Sequence, residues 1–158
     1  MDWMPPLGWW TRLRYQQWRV AANATMMNRT IPPAEYYRDL LAMSNSVITE
    51  GRHELAVIVA QMACEVLIEQ TLTPLLKAPK AARMNFNVRR KDMLKLYTTL
   101  THDRIDNATF WPMHGTHATR RHEVVHRGRR VNPAEAQESL TVATQFVDHV
   151  ESVRRSLV

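Results

Sequence analysis

The chain has 158 residues, of which 45% are hydrophobic and 23% are charged, and these values are typical of one globular domain and exclude a disordered chain. Only four glycines are present, which favours helices over a turn-rich β architecture. Lys and Arg outnumber Asp and Glu by 21 to 15, giving a formal net charge of +6, so we expect attraction to phosphate polyanions such as nucleic acid.

Residues 1–32 form a segment rich in tryptophan and arginine, and we interpret them as an N-terminal extension to a domain that covers residues 33–158. Helical spacing there predicts a helix over about residues 9–28. Its tryptophans either cover a core or stack on nucleic acid bases. Pro32 and Pro33 then interrupt the chain.

The compartment is inferred from cysteine usage and from the absence of a leader pattern. Cys64 is the single cysteine and has apolar neighbours, so we expect a buried thiol in a reducing, cytoplasmic environment. Asp2 and two nearby prolines do not resemble a secretory signal. The longest apolar run, residues 55–68, is interrupted by Gln61 and Glu65, which indicates a buried helix rather than a membrane span.

Three helices are predicted in the first two thirds of the domain. The first runs from after Pro33 to Glu50 and stops at Gly51. The second, over residues 52–72, is apolar almost all round and should be the centre of a bundle. Residues 77–87 form a basic loop, after which Asn87 is expected to cap a third helix.

Two further helices complete the prediction. One begins near Pro112 and ends at Gly128, and the other begins at Asn132, with Pro133 in its first turn and Glu135 placed for a capping box. No alternating run of β-branched residues is present. The fold class is therefore predicted as all-α, an up-and-down bundle of four to five helices.

The segment 120–128, Arg-Arg-His-Glu-Val-Val-His-Arg-Gly, can be interpreted in two ways. His122-Glu123-x-x-His126 has the spacing of a helical zinc motif in which the glutamate acts as base. Arginines at positions 120, 121 and 127 flank it, however, and cations beside a divalent ion oppose its binding. A zinc hydrolase is thus the less favoured interpretation, and no metal or other cofactor is expected.

The second interpretation begins at Arg121 and ends at His126. With Gly128 and the capped helix from Asn132, this segment resembles the HEPN superfamily, whose signature is an Arg followed after four to six residues by His, with Asn, Asp or His directly after the Arg. His122 stands where Asn is commonest. Residues 36–72 also look like the first two helices of such domains, so the resemblance covers about residues 33–158.

The resemblance implies an α-helical domain that forms a homodimer in which two such motifs face each other. Many relatives are metal-independent endoribonucleases in toxin–antitoxin or phage-defence systems, so RNA is the implied substrate. A cognate antitoxin, nucleotidyltransferase-like or of another kind, is a possible partner. The alternative within the same family is a non-catalytic module that binds RNA, a nucleotide or a protein.

Roles for individual residues follow from the chemistry of RNA cleavage. Histidine suits proton transfer near neutral pH and arginine suits a phosphate, so His126 is the expected acid or base, His122 shares its helix face, and Arg121 is the expected phosphate clamp. Glu65 and Glu123 are the expected supporting carboxylates. Four cations form a predicted RNA-binding rim that could equally be a solvated helix end: Arg120, Arg127, Arg129 and Arg130.

His114 and His117 lie three residues apart in the same predicted helix. Neither has a cysteine or carboxylate neighbour in sequence, so both are expected to be core or surface residues rather than metal ligands.

Overall fold

The structure, a computed structural model, describes residues 36–76 and 84–157. The described residues form five α-helices and no strand, which confirms the all-α fold class. The helices are α1 (Tyr36–Thr49), α2 (His53–Leu72), α3 (Lys91–Thr101), α4 (Trp111–Arg127) and α5 (Pro133–Ser156), with short 3-10 turns at Thr73–Leu75 and Ile105–Asn107. The predicted extension 1–32, its helix over 9–28, and residues 77–83 of the basic loop lie outside the described residues.

The centre of the bundle is α2, as its all-round apolar surface predicted. It packs against α1, α4 and α5. Its interior positions include Val59, Leu67 and Ile68, which are completely buried. Cys64 is also buried there, and burial raises the pKa of its thiol. The cysteine is therefore a core residue of the bundle.

Within the described residues, one segment is long and apolar enough to cross a membrane by length and composition, namely α2 with its following turn, His53–Leu75. An 18-residue stretch of this segment has a mean hydropathy of 1.6, and 61% of that stretch is buried inside the bundle. The core helix of a helical bundle meets the same criterion, and the packing of α1, α4 and α5 around α2 explains its composition.

A second, smaller apolar cluster lies at one end of the bundle. It joins the C-terminal end of α1, the first turns of α2, the last turns of α4 and the start of α5. Its buried members are Val47, Ala56, Val57, Val124, Val131 and Ala136. The turn between α1 and α2 and the turn between α4 and α5 are thereby held at the same end.

Three of the predicted helix ends are formed by the local capping chemistry that the sequence indicates. Gly51 and Gly128 adopt the left-handed conformation, with φ of 74° and 64°, at the ends of α1 and α4. At α5, the Asn132 side chain accepts a hydrogen bond from the Glu135 backbone N–H while the Glu135 side chain accepts one from Asn132, so the capping box is formed.

Asn87 does not cap α3, which corrects the prediction made for it. Its Oδ1 accepts a hydrogen bond from the Arg89 backbone N–H at 3.0 Å, and its carbonyl accepts one from Arg90. These contacts close a turn, and α3 begins only at Lys91. The asparagine therefore stabilises a turn in front of the helix, a competing use of the same side-chain acceptor.

Candidate active site

The predicted catalytic residues all lie in the last two turns of α4. The helix stays regular through Arg127, and its C-cap Gly128 donates its backbone N–H to the Glu123 carbonyl. Gly128 has a φ of 64°, in the left-handed region, where a residue with a side chain would be strained. Glycine therefore ends the helix at this position. The geometry of the motif is consequently that of an ordinary α-helix.

His122 and His126 share one face of α4, as their spacing predicted. Both are exposed, and their ring centroids lie 4.5 Å apart with the rings tilted by 45°. Two imidazoles at this separation can act on one bound group, one as a proton donor and the other as a proton acceptor. The pair is therefore a chemically plausible centre for proton transfer.

Arg121 lies on a different side of the helix. Five residues at about 100° each place it roughly 140° from His126 around the helix axis. Its side chain is half-buried. Burial, followed by the charges of Arg120 and then Arg121, lowers the pKa of His117 to about 4, so Arg121 lies close to that histidine. The arginine and the histidine pair are thus directed to different sides of α4.

Arg120 does not belong to an exposed rim, which corrects the prediction made for it. The residue is 5% exposed. Its guanidinium donates hydrogen bonds to the Glu135 carbonyl at 3.0 Å, to Ser139 Oγ at 2.7 Å and to the Glu138 carboxylate. Since every one of these partners belongs to α5, Arg120 stabilises the packing of α4 against α5.

Arg129 is also committed to internal contacts. Its guanidinium pairs with Glu123 at 2.7 Å and with Glu135 at 2.5 Å, so it bridges the end of α4 and the start of α5. Glu123 is therefore a partner of Arg129, which is a structural role that differs from that of a base between two zinc ligands. The two carboxylates neutralise Arg129 and weaken its case as an RNA contact.

Arg127 and Arg130 are the two members of the predicted rim that remain directed to solvent. Arg127 is exposed, and the Arg130 side chain is 93% exposed with a single long contact of 3.7 Å to Glu54. The Glu54 carboxylate also accepts a hydrogen bond from the Val131 backbone N–H at 3.2 Å. Hydrogen bonds from the backbone N–H groups of Glu54 and Val131 are the main reason that the pKa of Glu54 is lowered. An exposed pair of this length contributes little stability, so both arginines could bind a phosphate.

No protein-family model matches the chain, and comparison with curated proteins and with solved structures finds no significant match. The contacts of its own side chains are therefore the basis for interpreting the site. Among residues 36–76 and 84–157, no group of three or more His, Cys, Asp or Glu side chains is arranged to hold a metal ion. A divalent ion at His122 and His126 would thus lack a further ligand from the described part of the chain.

Glu65, the carboxylate expected to orient the motif, lies on α2 and is half-buried. Its Oε1 accepts a hydrogen bond from Gln61 Nε2 at 3.0 Å. This contact lies within one turn of α2 and provides one partner for a carboxylate in an apolar helix. The orienting role of Glu65 toward Arg121 or a histidine stays a prediction.

His114 and His117 are core residues with no exposed surface. The His114 ring stacks on Phe146 with a centroid distance of 4.5 Å and on Trp111 at 5.6 Å. Burial is the largest cause that lowers the pKa of His114 to about 3, followed by the charges of His117 and Arg89. Both rings are therefore neutral at neutral pH, and His114 packs between α4 and Phe146 of α5.

Two residues that contact α4 were not predicted from the sequence. Ser139 binds Arg120 from the buried side of α5, and its position beside Ala136 and Leu140 was the one available signal. Arg89 stacks over the Trp111 ring at 4.3 Å. The signal for Arg89 was a glycine, Gly115, in the interior of a predicted helix, where glycine is unfavourable unless the backbone needs the space.

Proposed function

We propose that this protein is a metal-independent endoribonuclease of the HEPN type. The observation that carries the proposal is the exposed pair of His122 and His126 rings, 4.5 Å apart, in the last two turns of a helix that also bears Arg121. The all-α bundle, the glycine stop and the capped helix that follows agree with the sequence resemblance. In keeping with that resemblance, we place the protein in the cytoplasm as a toxin or phage-defence effector.

Each group has a distinct role in the proposed reaction. One histidine removes the proton from the ribose 2′-hydroxyl, whose oxygen then attacks the adjacent phosphorus. The other histidine protonates the departing 5′-oxygen, so the products are a cyclic phosphate and a free 5′-hydroxyl. Arg121 binds the phosphate oxygens and stabilises the negative charge that accumulates on them.

The separation of Arg121 from the histidine pair around α4 supports a composite site. Helix rotation separates Arg121 from His122 by about 100° and from His126 by about 140°, so one chain directs the arginine and the histidine pair to different sides. A symmetric homodimer brings a second copy of every group to the interface. We propose that Arg121 of one subunit acts on the phosphate held at the histidine pair of the partner subunit.

Regulation by a partner is part of the proposal. A nuclease that acts on cellular RNA has to be restrained, and a cognate antitoxin, nucleotidyltransferase-like or of another kind, would do so. Arg127 directly follows His126 and Arg130 follows the end of α4; both are exposed, and we propose that they contact the RNA backbone. Such contacts weaken as salt rises because they release counterions.

The test is cleavage of a mixed RNA pool by the purified protein in excess EDTA. We expect cutting that survives the chelator and that falls by roughly 100-fold or more in His126→Ala, the usual effect of removing a general acid or base. His102→Asn is the matched control, since His102 is exposed, lies outside α4 and has a left-handed backbone that asparagine tolerates.

Three results would redirect the assignment. Cutting that EDTA abolishes would favour the zinc hydrolase built on His122 and His126. Equal cutting by His126→Ala and the parent protein would remove the histidine pair from the reaction. RNA binding without any cutting, in a protein with intact helical circular dichroism, would favour the non-catalytic HEPN module.

A further inference from the structure

A second cation, Arg89, is held against the motif helix at a distance from the histidine pair. Its guanidinium carbon lies 4.3 Å from the centroid of the Trp111 ring, and its Nη1 donates a hydrogen bond to the Trp111 carbonyl at 3.4 Å. The residue as a whole remains exposed. Stacking on tryptophan fixes the plane of the guanidinium and leaves its outer edge to solvent.

Gly115 provides the space that this arrangement needs. A Cβ at that position would lie 2.9 Å from Arg89 Nη2 and 3.3 Å from Cζ. Glycine in a helix interior costs about 1 kcal/mol relative to alanine, so the position lowers local helix stability. The benefit visible in the structure is the close approach of the arginine to the α4 backbone.

Arg89 has no carboxylate partner among the residues that the structure describes. Its neighbour Arg90, by contrast, pairs with Asp92 at 2.9 Å. Partial burial lowers the pKa of Arg89, and no carboxylate offsets that effect. A fixed, exposed guanidinium without an acidic partner is suited to bind a phosphate.

The position of Gly115 relates Arg89 to the histidines. Seven residues at about 100° bring His122 to within about 20° of Gly115 around the α4 axis, and eleven residues bring His126 to within about 20° on the other side. At 1.5 Å per residue, the histidines lie about 10 and 16 Å along the helix from Gly115. Arg89 and the histidine pair therefore share one stripe of the α4 surface.

We propose that Arg89 is a phosphate-binding residue that holds single-stranded RNA along this stripe, with the bound phosphate a few nucleotides from the one that is cleaved. The inference rests on the proposed ribonuclease function for its choice of ligand. The RNA would contact α4 at the histidine pair and at Arg89, and two contacts fix the direction of the RNA along the helix. It acts as a positioning residue and takes no part in proton transfer.

The test uses fluorescence anisotropy with a short, labelled single-stranded RNA of random sequence. Every protein carries His126→Ala so that binding is measured without cleavage. Arg89→Gln should weaken binding about tenfold, the effect of losing one charge-assisted hydrogen bond, and should reduce the slope of log K against log salt by about 0.7. Arg90→Gln removes the same charge from the adjacent residue and should change binding by less than about twofold.

Gly115→Ala separates positioning from folding. Its methyl group would displace the flexible end of Arg89 while favouring the helix, so the melting temperature should hold or rise as RNA affinity falls. Equal affinity and salt slope in Arg89→Gln, Gly115→Ala and the parent would overturn the proposal, and cleavage by the wild-type chain would still support the nuclease. Loss of affinity in both variants of a protein that never cuts RNA would support the Arg89 contact and refute the nuclease.

Discussion

Acid should destabilise this bundle through His114 and His117. Both side chains are completely buried, and their ring nitrogens have no hydrogen-bond partner among the residues that the structure describes. Their surroundings oppose protonation. His114 is faced by His117 and Arg89 as well as by aromatic rings, and His117 is faced by Arg120 and Arg121.

The magnitude follows from proton linkage. The pKa values are about 3 for His114 and about 4 for His117 in the folded protein, against 6.5 as the reference value for the unfolded chain. Because the folded pKa values are depressed, the stabilising effect is complete above pH 6.5 and is lost as pH falls from 6.5 toward 4 and 3. At pH 5 each histidine lowers the free energy of unfolding by about 2 kcal/mol relative to its value well above pH 6.5, so the pair lowers it by about 4 kcal/mol.

The assay is urea unfolding followed by far-ultraviolet circular dichroism between pH 8 and pH 5. We expect a slope of about 2.5 kcal/mol per pH unit near pH 5, corresponding to nearly two extra protons in the unfolded chain. The carboxylates with lowered pKa values, such as Glu54 and Glu151, lose their contribution at lower pH and leave this window largely undisturbed.

Substitutions at His114 and His117 test whether these residues cause the slope of the unfolding free energy against pH. His114→Leu and His117→Leu should each remove about half of the pH dependence, whatever their stability at pH 8. His102→Asn should retain it, because that side chain is exposed in the folded protein as it is in the unfolded chain. An unfolding free energy that stays flat from pH 7 to pH 5, or leucine variants that keep the full slope, would refute the reasoning.

Three further predictions concern the packing that supports the site. Arg120→Ala should lower the free energy of unfolding by about 2–4 kcal/mol, since it removes buried charge-assisted hydrogen bonds, whereas exposed Arg127→Ala should change it by less than about 0.5 kcal/mol; chemical unfolding distinguishes them. Asn132→Ala should cost about 1 kcal/mol and Asn132→Gly a few tenths, measured the same way. Cys64 should resist a thiol reagent in the native protein and react once urea unfolds the bundle, and rapid native labelling would contradict its burial.

In the proposed nuclease, substitution of Arg120 would change stability and cleavage together. The residue was expected to bind RNA, yet its contacts with Ser139 and the Glu135 carbonyl hold α4 against α5. Loss of activity in an Arg120 variant would consequently reflect displacement of the motif helix. The melting temperature of the variant has to be measured beside its activity.

The sequence by itself determined three helix ends and which helix is central. Gly51, Gly128 and the Asn132–Glu135 capping box act through contacts between residues that are close in sequence, and an apolar surface on every side identified α2 as the central helix. The face shared by His122 and His126 was predictable for the same reason, because helix geometry alone brings residues four apart together.

Tertiary structure decided which polar side chains are buried. Arg120 and Arg121 are adjacent and chemically identical, but 100° of helix rotation turns the first onto Ser139 of α5 and leaves the second half-buried. Likewise, Arg89 contacts Trp111 and Gly115 only because the turn before α3 packs on α4. Burying a charge or a neutral histidine requires partners that are distant in sequence, and the helical pattern of one segment contains no information about them.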